Sequence, residues 1–274
     1  MRFLKGHGTE NDFVVIPDPD ATLDLTAGLV RRLCDRRAGI GADGVLRAVP
    51  AKAVPEAAGM ADRAEWFMDY RNADGSVAEM CGNGVRVFAR YLAETGRVAP
   101  GGAFALATRA GIRDVTLHPE GDVSVDMGAP RTYGASTAAM AGRSYNGLVV
   151  NVGNPHLAAL VAEPVAGLDL SAPPAFDAAA FPDGANLELL RPLGARHVEM
   201  RVYERGSGET RSCGTGTVAA AVAAARAAGE PYGAWRVDVL GGTVTVTLTE
   251  ETSFLRGPAV LVAEGELRPE WLAG

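Results

Sequence analysis

Lysine is almost absent from this sequence, and cysteine, histidine and aromatic residues are also few. The 274 residues include two lysines (Lys5 and Lys52), three cysteines and four histidines, and aromatic residues make up 6%. The cysteines form no CxxC pair and have no histidine at zinc-ligand spacing, so a structural metal is not expected. A small, odd number of cysteines also fits reduced thiols better than a disulfide framework.

Long apolar runs and an excess of basic charge are missing as well. No stretch approaches the roughly 18 apolar residues of a membrane span, and the N-terminal MRFLKGHGTENDF has no run of signal-peptide length. The 33 acidic residues outnumber the 26 basic ones, a net charge of −7. These features argue against a nucleic-acid partner or a membrane surface and favour a cytoplasmic protein.

What the sequence does contain is one arrangement that occurs twice. The strand-like AEWFMDYR and an Asn- and Gly-rich turn precede EMCGNGV and a helix over GNGVRVFARYLAETG. Further along, HVEMRVYER and the turn GSGETRS precede CGTG and the Ala-rich helix GTGTVAAAVAAARAAG. Alternating segments predict more strands around each helix. We therefore predict an α+β protein with two similar domains related by duplication, residues 1–126 with a C-terminal strand at 258–274, and residues 127–257.

Two of the cysteines stand immediately before the two predicted helices. The first N–H groups of a helix lack partners and carry partial positive charge, which favours a thiolate at Cys81 and Cys213. Such surroundings can lower a thiol pKa from about 8.5 to roughly 3.5–7.5. The glycines beside them let a ligand approach the backbone. The amides that could bind a carboxylate there are those of Gly82, Asn83, Gly214 and Thr215.

Two similar thiols from two similar domains suit the inversion of a stereocentre by proton exchange. That reaction needs an acid on one face of the carbon and a base on the other, and a thiol with a thiolate supplies both. Removal of an amino acid's α-proton usually relies on pyridoxal phosphate bound to a lysine. Neither Lys5, on the first strand, nor Lys52, in a Pro/Ala loop, lies in a phosphate-binding motif, so we expect no cofactor.

The third cysteine is predicted to be structural. Cys34 lies within LTAGLVRRLCDRR, whose apolar spacing predicts a helix that ends at Gly39. No glycine follows this cysteine, so a buried small hydrophobic side chain is the expected role.

The segments NADGSVAEMCGNGVR, GNPH and ERGSGETRSCGTGT together resemble diaminopimelate epimerase, and the resemblance runs from GHGTENDF to the final strands. That family needs no cofactor and interconverts LL- and meso-diaminopimelate for lysine and peptidoglycan synthesis. The resemblance implies two similar domains, each with strands wrapped around a central helix, and an active site in the cleft between them. It also implies that Cys81 and Cys213 are the acid/base pair, and it makes a homodimer plausible.

The resemblance further implies roles for residues outside the thiols. Asn11, in GTENDF, matches a substrate-binding asparagine on a closing loop, and the four amides named above match those that hold the reacting carboxylate. His156 and Glu204 resemble the neighbours that tune the two thiols, and Glu204 also matches a carboxylate near the ammonium groups. Four further residues match the family's ligands to the substrate, mainly to its distal amino-acid end: Asn72, Asn154, Asn186 and Arg205.

Two positions depart from the family pattern, and other functions stay open. Thr9 and Glu10 stand where many members have small residues, and Gly44 falls where some members have a glutamine. A proline or hydroxyproline racemase would share the two-thiol mechanism, although the polar set above favours a substrate with two amino-acid ends. A cysteine hydrolase with His156 as base would leave one cysteine idle, and a non-catalytic binding protein would leave both unused.

Overall fold

The computed structural model describes residues 1–273, so Gly274, the last residue of the predicted 258–274 segment, lies outside the described residues. The chain divides into two compact units. The first runs from Met1 to Val125 and resumes at Pro258, and the second is Asp126–Gly257. No helix among residues 1–273 is long and apolar enough to cross a membrane.

The first unit places its strands around one central helix. Its helices are α1 (Ala27–Cys34), α2 (Gly82–Glu94) and α4 (Pro269–Ala273). Its strands are β1 (Arg2–Gly8), β2 (Asn11–Pro17), β3 (Gly44–Pro50), β4 (Trp66–Asn72), β5 (Ala103–Thr108), β6 (Gly111–Leu117), β7 (Asp122–Asp126) and β18 (Val260–Glu266). Helix α2 lies in the connection from β4 to β5 and contacts β1, β2, β3, β4, β6 and β18.

The second unit repeats this plan around helix α3 (Gly214–Ala228). Its strands are β8 (Arg131–Met140), β9 (Arg143–Asn151), β10 (Pro155–Leu160), β11 (Ala175–Phe176), β12 (Asn186–Gly194), β13 (His197–Glu204), β14 (Gly208–Thr210), β15 (Gly233–Val239), β16 (Gly242–Leu248) and β17 (Ser253–Pro258). Helix α3 lies in the connection from β13 to β15 and contacts β9, β10, β12, β13, β15 and β16.

Strand pairing shows that the two units have the same topology. From β18 through β1 to β7, neighbours pair antiparallel, antiparallel, parallel, antiparallel, parallel, antiparallel and antiparallel. From β8 through β9, β10, β12, β13, β15 and β16 to β17, the same seven orientations occur in the same order. This repetition confirms the predicted pseudo-symmetric α+β fold.

The central helices are buried on nearly every side, which explains their composition. In α2 the buried apolar residues include Val85, Val87, Phe88, Tyr91 and Leu92. In α3 the buried residues are mostly alanines, because strands that approach a helix on several sides leave little room for side chains. These two helices therefore hold each unit together and fix the position of whatever precedes them.

The predicted helix around Cys34 is shorter than expected. It ends at Cys34 instead of Gly39, because Asp35 adopts an extended conformation with φ −61° and ψ 121°. The Asp35 carboxylate then accepts the Arg37 and Ala38 amides, both at 2.7 Å, and this forms a turn. Cys34 itself is buried in an apolar cluster, which confirms the packing role, and burial raises the pKa of its thiol to about 12.

A second difference lies in the turn predicted over GSGETRS. It contains the short strand β14, which pairs with the end of β13 through Val202 and Thr210. The corresponding position in the first unit has a single bridge between Arg71 and Val77. The turn before each cysteine is thus tied to the strand that precedes it.

Candidate active site

Each cysteine is the residue that caps a central helix. Cys81 precedes α2 with φ −141° and ψ 117°, and its Sγ accepts the Gly84 amide at 3.5 Å. Cys213 precedes α3 with φ −123° and ψ 119°, and its Sγ accepts the Gly216 amide at 3.4 Å. Each sulfur therefore occupies the position in which a side-chain oxygen usually caps a helix. The first-turn amides around it provide an electropositive environment.

In the first unit, the structure brings three predicted site residues together. Asn11 Oδ1 accepts the Cys81 thiol at 3.6 Å and the Asn83 side-chain amide at 3.2 Å. Asn11 Nδ2 donates to Asp43 at 2.8 Å, which fixes which end of the amide faces the sulfur. Asp43 did not emerge from the sequence, because an aspartate in a glycine-rich loop also suits a turn.

The loop before Asn11 is held by charge. Thr9 and Glu10 have φ values of 50° and 61°, as a tight two-residue hairpin loop requires. Arg36 donates to both oxygens of Asp12, at 2.8 and 3.0 Å, and Lys5 also pairs with Asp12. Although burial opposes ionisation, these cations hold the pKa of Asp12 below its usual value. The hairpin loop thus holds the non-glycine residues at positions 9 and 10 in the left-handed region, and the ion pairs anchor the strand that follows it.

Arg86 is a second residue that the sequence reasoning missed. It lies on α2 with no exposed surface, and its Nη2 donates to Thr9 Oγ1 at 3.0 Å. Burial lowers the pKa of Arg86 to about 10, while the nearby Cys81 acts in the opposite direction. The guanidinium is thus charged at neutral pH. An arginine between the two apolar residues Val85 and Val87 was the available signal.

The second unit gathers more of the predicted residues. Asn186 Nδ2 donates to Cys213 Sγ at 3.8 Å, and Thr215 Oγ1 lies 3.5 Å from the same sulfur. Asn186 Oδ1 accepts the Arg205 backbone amide at 2.9 Å, so Asn186 also positions the end of β13. Glu204 accepts a hydrogen bond from Thr210 and from the thiol of Cys213.

The ionisation of Cys213 differs from the sequence-based expectation. Burial, followed by the charges of Glu204 and Glu188, raises the pKa of the Cys213 thiol well above its ordinary value. Burial likewise raises the pKa of Glu204. The expectation of a lowered thiol pKa was therefore wrong for Cys213, because desolvation and two nearby carboxylates outweigh the helix N-terminus.

His156 forms a buried pair with a residue that the sequence analysis did not select. Its Nδ1 lies 2.7 Å from Glu188 Oε1, and both side chains are 0% exposed. Its Nε2 lies 2.9 Å from Asn154 Oδ1, which places these two predicted residues together. The signal for Glu188 was a single acidic residue between two leucines in a strand.

The remaining predicted residues lie at the edges of these clusters. Asn72 donates to Ser76 at 3.0 Å within its own turn, so the structure gives it a local role. Arg205 is exposed, donates to the Asp183 carbonyl at 3.1 Å and borders a cavity of about 530 Å³. Gly44 has no room for a side chain, because a Cβ there would lie 2.6 Å from the Arg71 carbonyl oxygen.

Known proteins resemble this chain over nearly its whole length. The diaminopimelate epimerase family profile matches residues 3–133 and 148–262. A diaminopimelate epimerase from Thermobifida fusca is 60% identical over 98% of each chain, and one from Mycolicibacterium smegmatis is 55% identical over 99% of this chain and 98% of its own. A solved hydroxyproline epimerase from Agrobacterium vitis shares the fold, with a TM-score of 0.66 at 17% identity, over 97% of this chain and 91% of its own. The chain therefore belongs to the diaminopimelate epimerase family.

Proposed function

We propose that this protein epimerises LL-2,6-diaminopimelate to meso-diaminopimelate, with Cys81 and Cys213 as the two acid/base groups. The observation that carries the proposal is the pair of matched thiols. Each caps the central helix of one of two units with the same topology. Family membership at 55–60% identity supports the choice of substrate. The reaction serves lysine and peptidoglycan precursor synthesis.

The mechanism is one proton out and one proton in at the same carbon. One cysteine, as thiolate, removes the α-proton, and the other, as thiol, donates a proton to the opposite face. The negative charge that develops on the substrate carboxylate is stabilised by the amides that begin α2 and α3. The mechanism requires both cysteine turns to reach opposite faces of one α-carbon. After turnover the thiol and thiolate forms are exchanged, which makes the reaction reversible.

The surroundings of the two cysteines support different protonation states for them at the start of the reaction. Cys213 is buried near two carboxylates that raise the pKa of its thiol, so it begins as the acid. Cys81 lies near the buried Arg86 cation, which favours a negative charge on its sulfur. Asn11 is held by Asp43 and accepts hydrogen bonds from the Cys81 thiol and the Asn83 side-chain amide. Its proposed role is to orient these two groups, not to transfer a proton.

The substrate's two zwitterionic ends require separate partners. Gly82, Asn83, Gly214 and Thr215 hold the reacting carboxylate in this proposal. Arg205 suits a distal carboxylate because its guanidinium is exposed beside a cavity, and Glu204 suits an ammonium group. The other proposed ligands are Asn11, Asn72, Asn154 and Asn186, and His156 and Glu204 are the groups that adjust thiol ionisation.

The proposed reaction uses no cofactor and no metal. Lys5, one of the two lysines, is paired with Asp12 and donates to the Gly41 carbonyl, so it is not available as a Schiff-base lysine. Lys52 lies exposed in the single-turn helix Ala51–Ala53, on the surface of its unit. We also propose a cytoplasmic location, a homodimer, and no nucleic-acid or membrane partner.

The test is α-deuterium incorporation from D₂O into LL-diaminopimelate, with purified reduced protein and no added cofactor. We expect exchange at one of the two α-carbons together with the appearance of the meso isomer. Cys81→Ala and Cys213→Ala should each reduce epimerisation by at least about a thousandfold, because each removes an obligatory proton carrier. Cys34→Ala is the matched control and should retain activity.

Two outcomes would contradict the proposal in different ways. Normal epimerisation by either active-site cysteine variant would refute the two-base mechanism. Exchange into proline or hydroxyproline, but not into diaminopimelate, would keep the mechanism and replace the substrate. The circular dichroism spectrum and unfolding midpoint of each variant establish that a loss of activity is not a loss of fold.

A further inference from the structure

The equivalence of the two units allows their thiol environments to be compared position by position. In the first unit Phe13 pairs with Gly44 and Val15 with Leu46, across parallel strands. In the second unit His156 pairs with Asn186 and Ala158 with Glu188, across the equivalent strands. His156 therefore holds the place of Phe13, and Glu188 holds the place of Leu46.

These equivalent positions lie directly beneath the two cysteine turns. A Cβ on Gly84 would lie 3.3 Å from the Leu46 side chain and 3.6 Å from that of Phe13. A Cβ on Gly216 would lie 2.6 Å from Glu188 Oε1. The same helix turn thus rests on apolar side chains in one unit and on a buried carboxylate in the other.

The carboxylate is not required by the fold. The first unit forms the same strands and the same capped helix with leucine and phenylalanine at these positions. Replacing a buried ion pair by apolar residues of similar size is often neutral or stabilising. Glu188 Oε2 moreover has no hydrogen-bond partner among the described residues, so His156 satisfies only one of the two carboxyl oxygens. A buried polar oxygen without a partner calls for an explanation other than packing.

We propose that Glu188 is a positioning residue that makes the two thiols unequal: its buried carboxylate, bonded to His156 beneath the Gly216 turn, keeps Cys213 in the thiol form. This inference rests on the proposed function only for its consequence in catalysis. The effect of Glu188 on the ionisation of the Cys213 thiol can be measured without substrate.

The charges around Cys213 support this assignment. The titratable groups that act on it are Glu188 from β12 and Glu204 from β13, and His156 from β10 is bonded to Glu188. Glu188 and Glu204 both disfavour a thiolate, and the Thr215 hydroxyl and Gly216 amide favour one. Glu204 lies at the end of β13 and is less enclosed than Glu188, so it can respond to substrate. Glu188 is fully enclosed, so it stays in place beneath the Gly216 turn.

The test measures how the alkylation rate of Cys213 depends on pH. In a protein carrying Cys81→Ala and Cys34→Ala, iodoacetamide modifies Cys213 alone, and only the thiolate reacts. We expect Glu188→Gln to move the alkylation midpoint down by about one pH unit, which is about tenfold faster modification below that midpoint. Glutamine keeps the size of the side chain and an acceptor for His156, so the fold should persist.

Two further variants separate charge from packing. The double change His156→Phe with Glu188→Leu copies the first unit, and it should also lower the midpoint. Glu209→Gln removes a carboxylate on β14 that pairs with Arg201 on the surface, and it should leave the midpoint unchanged. An unchanged midpoint in both Glu188 variants would overturn the inference, as would an equal shift in the Glu209 variant.

Turnover provides a second readout that a purely structural role would not change. With Cys81 and Cys34 intact, Glu188→Gln should move the pH optimum of epimerisation to lower pH and lower kcat with little change in KM. If the alkylation midpoint shifts but diaminopimelate is not turned over by the parent protein, the inference stands and the proposed function fails. If the parent is active and neither the midpoint nor the pH optimum moves, the proposed function stands and the inference about Glu188 fails.

Discussion

At the scale of single residues, the two cysteine turns differ in what lies beneath them. Both sulfurs cap a helix in the same way, with the third amide of the helix at 3.4–3.5 Å. The glycine that donates this amide also faces the strand below. A side chain there would meet Leu46 in one unit and Glu188 in the other.

The two glycines should therefore differ in their tolerance of alanine. Gly216→Ala forces a Cβ to within 2.6 Å of Glu188 Oε1, which His156 holds in place, so we expect at least about 2 kcal/mol of destabilisation and a loss of activity. Gly84→Ala meets a leucine methyl at 3.3 Å that can move, and alanine favours the helix by up to about 1 kcal/mol. It should cost less than about 1 kcal/mol.

Urea unfolding of both variants, followed by circular dichroism, measures this difference. Equal destabilisation by the two substitutions would show that Glu188 yields as easily as a leucine side chain. In that case the claim that His156 holds Glu188 rigidly in place would be incorrect.

At the scale of elements, the two central helices end as similarly as they begin. Gly229 follows α3 with φ +71°, and Gly96 lies just beyond α2 with φ +70°. Both positions are open, because no described atom lies within 4 Å of a Cβ placed there, so the cost of a side chain comes from the backbone alone. A glycine in this conformation stops each helix from extending further.

Gly96→Ala and Gly229→Ala should each lower the free energy of unfolding by about 1 kcal/mol, because an L-residue is strained in the left-handed region. Gly167→Ala is the matched control, since its φ lies outside that region and nothing lies within 4 Å of the added Cβ. Chemical denaturation would measure all three. A loss of stability in the Gly167 variant as large as in the other two would contradict the backbone explanation.

At the scale of the whole molecule, the two units place charge differently. The first unit contains a buried Asp69 that accepts from Arg71 Nε at 2.8 Å and from Arg109 Nη2 at 2.7 Å, with Arg47 at 3.5 Å. Burial opposes ionisation, but the arginines prevail and hold the pKa of Asp69 below its usual value. In the second unit, burial raises the pKa of Glu204 and of Cys213 instead.

Asp69→Asn should destabilise the protein by about 3 kcal/mol at pH 7, because three arginines lose a buried partner. A carboxyl whose pKa is lowered on folding adds stability above its ordinary pKa of about 3.9, and that stability is lost as the pH falls through the folded value. The difference between parent and variant should therefore shrink steadily below about pH 4.

Urea titrations at a series of pH values test this prediction. Asp114→Asn is the control, because its pair with Arg63 spans 3.6 Å and both side chains are about two-thirds exposed. We expect this substitution to change the free energy of unfolding by less than about 0.5 kcal/mol at any pH. A constant difference between the Asp69 variant and the parent, independent of pH, would show that the effect is steric and not electrostatic.

Local sequence alone determined the repeated plan and the position of the two cysteines at the starts of the central helices. A strand, a glycine-rich turn and a helix that begins with Cys-Gly-x-Gly are local patterns, and local patterns fix backbone geometry at a helix start. The same reasoning correctly separated Cys34, which has no such turn after it. The end of α1 was misjudged, because the Asp35 carboxylate forms a local turn that competes with the helix.

Only the tertiary structure decided what surrounds each thiol. The sequence places Cys81 and Cys213 in nearly identical settings, yet the residues beneath them are far away in the chain: Leu46 in one unit and Glu188 in the other. A pKa depends on burial and on charges brought close by strand pairing, and neither can be seen in a local motif. The sequence therefore predicted where the two proposed acid/base groups lie, and the fold determined the different surroundings of their sulfurs.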